Sequence, residues 1–66
     1  MYAIVSTNPV SVIELTHDEH HALEVFEAHE NYIEVLDGTS GEWREFSTSD
    51  TGPGPIVENS ELLALL

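Results

Sequence analysis

Sixty-six residues with thirteen acids, a single base and no cysteine make one small domain (1–66), because a chain this short buries only about 60% of its unfolded surface. The lack of cysteine excludes disulfides, thiolate metal sites and thiol chemistry. A formal charge of -12 repels phosphate, which excludes DNA, RNA and anionic membranes as direct ligands and favours basic proteins, above all those that hold nucleic acid.

Hydrophobic residues still make up 41% of the chain and fall in periodic runs, so an ordered core is expected rather than an acidic disordered tail. The opening MYAIVSTNPV has no basic region followed by a long apolar stretch. No window approaches the eighteen or so apolar residues of a membrane span. A soluble, unprocessed, cytoplasmic protein is expected.

Tyr2 to Ser6 is a short run of strand formers, and Asn8-Pro9 marks a turn. In Ser11 to Leu15, Ile13 and Leu15 alternate with Val12 and Glu14, the period of two of a strand with one wet face. The two runs predict a hairpin. Thr16 with Glu19 three residues on has the capping-box pattern, so a helix is predicted to start at His17 and run to Glu30. Ala22, Val25, Phe26 and His29 would lie on its apolar arc, with His29 half buried there, and Glu24, Glu27 and Glu30 on its outer face. Asn31 is the residue expected to take the left-handed conformation that ends it.

Tyr32 to Leu36 and Glu42 to Ser47 flank the loop DGTSG and predict a second hairpin. A symmetric closure sets Val35 opposite Trp43 and Glu34 opposite Arg44, with Trp43 and Phe46 on opposite faces and one of them exposed. Ser47 to Pro55 reads as a surface loop. Asn59 or Ser60 can then cap a short terminal helix carrying Leu62, Leu63, Leu65 and Leu66. One helix face cannot hide four leucines, so they cover the sheet or a second copy of the chain. The fold expected is α+β in the order ββαββα, two antiparallel hairpins packed on one amphipathic helix, with a core of Ile4, Ile13, Leu15, Ala22, Val25, Phe26, Ile33, Val35 and Trp43.

The sequence has no GxSxG, no HExxH, no phosphate-cradling glycine loop and no Cys-His-Asp set, and its lone arginine makes no cationic clamp, so no catalysis and no cofactor are expected. His17 and His21 stand four apart with Glu24 three further on, a spacing at which two imidazoles can share zinc. Two ligands do not complete a site, and solvated histidines at a helix start are the simpler reading, with no metal expected.

The acids are different. Three carboxylates at three-residue steps rise about 4.5 Å each along a helix, against about 3.4 Å per phosphate along a DNA strand. Neighbouring like charges cost a helix about 0.2–0.5 kcal/mol per pair, and no lysine offsets them here. Nucleic-acid mimicry explains the missing bases better than solubility does. Adaptation to molar salt would also explain them, through screening over about 3 Å, but ten of the thirteen acids are glutamate where aspartate is expected. A salt-adapted homo-oligomer joined through the C-terminal leucines therefore ranks second, and a histidine-based metal-binding protein third.

In size, lack of cysteine, and a carboxylate-studded helix beside a small sheet, with Asp18, Glu19, Glu24, Glu27, Glu30 and Glu34, the chain resembles the phage-encoded DNA-mimic inhibitors, including small anti-CRISPR and anti-restriction proteins. The resemblance is one of character over the whole chain; those families share no motif, so no residue's role carries over. It implies a non-enzymatic inhibitor that occludes the nucleic-acid groove of a basic protein or complex in the host cytoplasm. The candidate partner-binding residues are Asp18, Glu19, Glu24, Glu27, Glu30, Glu34, Asp37, Glu42 and Glu45.

Overall fold

The order of elements is β1 (Tyr2–Thr7), β2 (Val10–Thr16), α1 (Glu19–Ala28), β3 (Ile33–Asp37), β4 (Arg44–Glu45) and α2 (Ser60–Leu65), in a computed structural model that describes residues 1–50 and 52–66. Thr51, in the loop expected from Ser47 to Pro55, lies outside the described residues. The strands form one antiparallel sheet in the order β2-β1-β3-β4, which is the expected α+β class and the ββαββα order.

Each face of the sheet carries a helix. On one side Tyr2, Ile4 and Val35 pack with Ala22 of α1, bordered by Val25, Phe26, Ile33 and Phe46. On the other, Ala3, Val5 and Leu36 pack with Leu62 of α2, bordered by Val10, Val12, Trp43, Val57 and Leu66. β1 is therefore covered on both faces, and its run Tyr2, Ala3, Ile4, Val5 is buried without alternation. Trp43 and Phe46 do lie on opposite faces as expected. Both are half buried, because each face has its own helix. Phe46 sits between Tyr2 and Phe26, ring centroids 5.9 and 5.1 Å away.

The first hairpin forms as expected, with a cis peptide bond at Asn8-Pro9. Its core residues differ from the expectation: Ile13 is 55% and Leu15 50% exposed. For Ile13 the cause is a bulge, whereas Leu15 stands opposite Ala3 on the edge strand of the sheet. Ile4 lies opposite Glu14 but Val5 opposite Val12, which leaves Ile13 without a partner on β1. One extra residue shifts the phase, so Val12 faces inward and Glu14 turns to the α1 side.

The α1 boundaries also move. Its cap is Asp18, not Thr16: Asp18 Oδ1 accepts from the backbone N–H groups of His20 (2.9 Å) and His21 (3.2 Å). Thr16 ends β2, and its hydroxyl accepts from the Asp18 N–H instead. At the other end His29, rather than Asn31, takes the left-handed conformation at φ 51, so it is an exposed cap and not a core residue. Tyr32 is likewise left-handed, at φ 64. Asp18→Ala is expected to lower the unfolding free energy by about 1 kcal/mol, and Asp18→Asn much less, since asparagine keeps the accepting oxygen. Equal denaturation midpoints for wild type and Asp18→Ala would contradict this cap.

In the second hairpin Leu36 pairs with Glu45 and Asp37 with Arg44, not Val35 with Trp43 and Glu34 with Arg44. The odd shift carries Trp43 to the face opposite Val35. Asp37 closes the loop by accepting from Thr39 N–H (2.8 Å) and Thr39 Oγ1 (2.6 Å), and Gly38 N–H donates to the Met1 carbonyl. The segment before α2 returns along β4: Glu45 N–H donates to the Pro55 carbonyl and Val57 N–H to the Trp43 carbonyl, each at 2.9 Å. Gly54 permits this approach, because a Cβ there would overlap the Glu45 carbonyl. Asn59 caps α2 by accepting from Leu62 N–H at 3.1 Å. Among the described residues no helix is long and apolar enough to cross a membrane.

Candidate acidic surface

The nine candidate carboxylates divide by what the fold does with them. Asp18 caps α1, Asp37 ties the β3–β4 loop, and Glu42 pairs with Arg44 at 3.2 Å. Glu19, Glu24, Glu27, Glu30, Glu34 and Glu45 are exposed, with no ion pair among the described residues. Arg44, the chain's one base, is held by Glu42 and by the Gly54 carbonyl, and it does not meet Glu34 as expected.

Glu24 and Glu27 stand on the solvent side of α1, opposite Ala22, which is fully buried against the sheet. The expected row of three is cut short. Because α1 ends at Ala28, Glu30 lies past the cap in the turn to β3, where its carbonyl accepts from Ile33 N–H at 3.2 Å. Glu30 instead joins Glu34 and Glu45. β4 pairs with only Leu36 and Asp37, so the outer side of β3 is left open toward Ile33. A hollow of about 280 Å³ lies there, lined by Phe26, His29, Glu30, Ile33, Glu34, Val35, Glu45 and Phe46. Glu34 and Glu45 also line a second hollow, of about 400 Å³, with Leu36, Pro55, Ile56, Val57, Glu58, Asn59 and Leu62. Glu58 was not among the candidates. Nothing in its sequence surroundings marks it, since only the return of the segment 54–57 along β4 brings it near Glu34 and Glu45.

The histidines are not arranged as a zinc pair. His17 precedes the Asp18 cap and so is off the helix, and His21 Nε2 instead meets Glu14 Oε2 at 2.8 Å, joining α1 to β2. Among the described residues no three His, Cys, Asp or Glu side chains come together as a metal site would need.

A third hollow, of about 370 Å³, brings Glu19, His20 and Asp37 beside Tyr2. Burial raises the Tyr2 phenol above its usual 10.0, and the negative charges of Glu19 and Asp37 push the same way. The fold thus disfavours the phenolate, and an unfolded chain gives up this proton at lower pH. Stability is complete below the unfolded value of about 10 and is lost as pH rises from there through the folded value. Denaturation midpoints should therefore fall in strong alkali, and less so for Tyr2→Phe. Identical alkaline profiles would contradict the assignment to Tyr2.

Comparison with protein-family models, curated proteins and solved structures gives no match, so the chemistry of this surface has to be argued from its own residues.

Proposed function

We propose that this protein is a non-enzymatic inhibitor that presents carboxylates to the lysines and arginines of a nucleic-acid-binding protein or complex, and so keeps nucleic acid out of its groove. The observation that carries the reading is a set of six exposed carboxylates in a chain whose only base is already engaged. Their counter-ions are solvent cations, which a basic partner can displace. A surface of one sign steers association with a basic groove and repels DNA and RNA. A phage-encoded inhibitor of a restriction or CRISPR complex is the biological setting this chemistry fits.

The test is displacement. Proteins of the native cell retained on immobilised duplex DNA are washed with this protein, or with its Glu24→Gln/Glu27→Gln/Glu30→Gln variant. The wild type is expected to elute one or a few DNA-binding proteins, and the variant, whose folding is unharmed or slightly helped by the lost repulsion, is expected to elute much less. Equal elution by both, or none, would contradict the proposal.

A second reading, a homo-oligomer, rests on a different observation. Leu63 (38% exposed) and Leu65 (54%) on α2, with Ile13 and Leu15 on the edge strand β2, leave apolar surface in water. Sedimentation of the protein alone separates the two.

A further inference from the structure

The two hollows that share Glu34 and Glu45 have a feature that the outer face of α1 lacks: apolar walls. In the larger, the accessible apolar lining is the returning segment: Pro55 and Ile56 are exposed, Ile56 at 49%, and Val57 is half buried beside them. Glu34, Glu45 and Glu58 are its exposed acids. Glu30 borders the smaller hollow beside Phe26 and Ile33, on the α1 face of the sheet. An apolar strip beside carboxylates suits a long aliphatic stem ending in a cation, which lays its methylenes on the strip and leaves its charge among the solvated acids.

From this we infer that the larger hollow, bordered by Glu34, Glu45 and Glu58 on the α2 face of the sheet, is a docking site for arginine or lysine side chains of a basic protein segment. The inference rests on the basic partner argued above and names where that partner's side chains insert. Charge complementarity selects this occupant, since three acids border the hollow and Arg44 is held elsewhere. A second copy of a chain with charge -12 would bring more repulsion to the same place.

The test is an NMR titration of the full chain with synthetic peptides of equal charge. One peptide carries three arginines spaced by Gly-Ser, and the other carries 2,3-diaminopropionate, whose ammonium sits on a single carbon. Saturable shifts at Glu34, Glu45, Val57 and Glu58 are expected with the arginine peptide, at an affinity about tenfold or more above that of the short-stem peptide. Glu34→Gln/Glu58→Gln, at exposed positions, should lower the arginine-peptide affinity by about tenfold with the spectrum otherwise native. Equal affinity for both peptides, or shifts confined to Glu24 and Glu27, overturns the docking site. Displacement of proteins from DNA, as described above, continues in that case and keeps the two ideas apart. No shift with either peptide and no displacement would overturn both.

Discussion

Leu62→Ala is expected to lower the unfolding free energy by about 2–5 kcal/mol, the usual cost of emptying a buried leucine site. Leu62 is 2% exposed and closes the core over Ala3, Val5 and Leu36, so its loss uncovers one whole face of the sheet. A domain of 66 residues has a total stability of about 3–10 kcal/mol, and this one also carries a charge of -12. The variant should be largely unfolded at 37 °C or close to it, and removal of Leu62 to Leu66 should abolish folding. Leu65→Ala is the internal control: at 54% exposure it should cost about 0.5 kcal/mol or less. Urea denaturation of both variants checks the contrast. Equal losses would mean that α2 packs by a different face.

The second large effect is on binding. Affinity for a protein displaced from DNA should fall by about tenfold or more as salt rises from about 50 to 200 mM, because exposed charges are screened over about 10 Å at 0.1 M. Most of the loss should appear in the association rate, where long-range steering acts. A flat salt response, with fast binding unchanged, would place the interface on the apolar side chains Leu63, Leu65, Ile13 and Leu15 instead.

Local chemistry explains which parts of this molecule could be read from the chain. The first hairpin, the helix between the hairpins, the Asn59 cap and the opposed Trp43 and Phe46 all follow from patterns a few residues long. The errors come from choices made at longer range. Thr16 and Asp18 both carry a side-chain oxygen suited to capping, and the strand pairing of Thr16 with Tyr2 assigns the cap to Asp18. The bulge at Ile13 inverts an alternation that is continuous in the sequence. The left-handed His29 has no glycine or asparagine to announce it, and it removes Glu30 from the helix. That the sheet is buried on both sides depends on where α2 (Ser60–Leu65) lands, far along the chain from β1 (Tyr2–Thr7).

The same split holds for the acidic surface. Exposure of Glu24 and Glu27 was legible, because charged residues opposite an apolar arc face water. The gathering of Glu30, Glu34 and Glu45 at one hollow, and of Glu34, Glu45 and Glu58 at another, was not. It depends on β4 being two residues long and on Gly54 letting the chain return beside it.

Occlusion is the central claim, and competition measures it most directly. A displaced protein is bound to fluorescent duplex DNA, and the 66-residue protein is titrated in while DNA anisotropy is followed. Mutual exclusion predicts complete release of the DNA, with an apparent Kd for this protein that rises in proportion to the DNA concentration. A saturable ternary complex that keeps its DNA, at an affinity independent of DNA concentration, would contradict it.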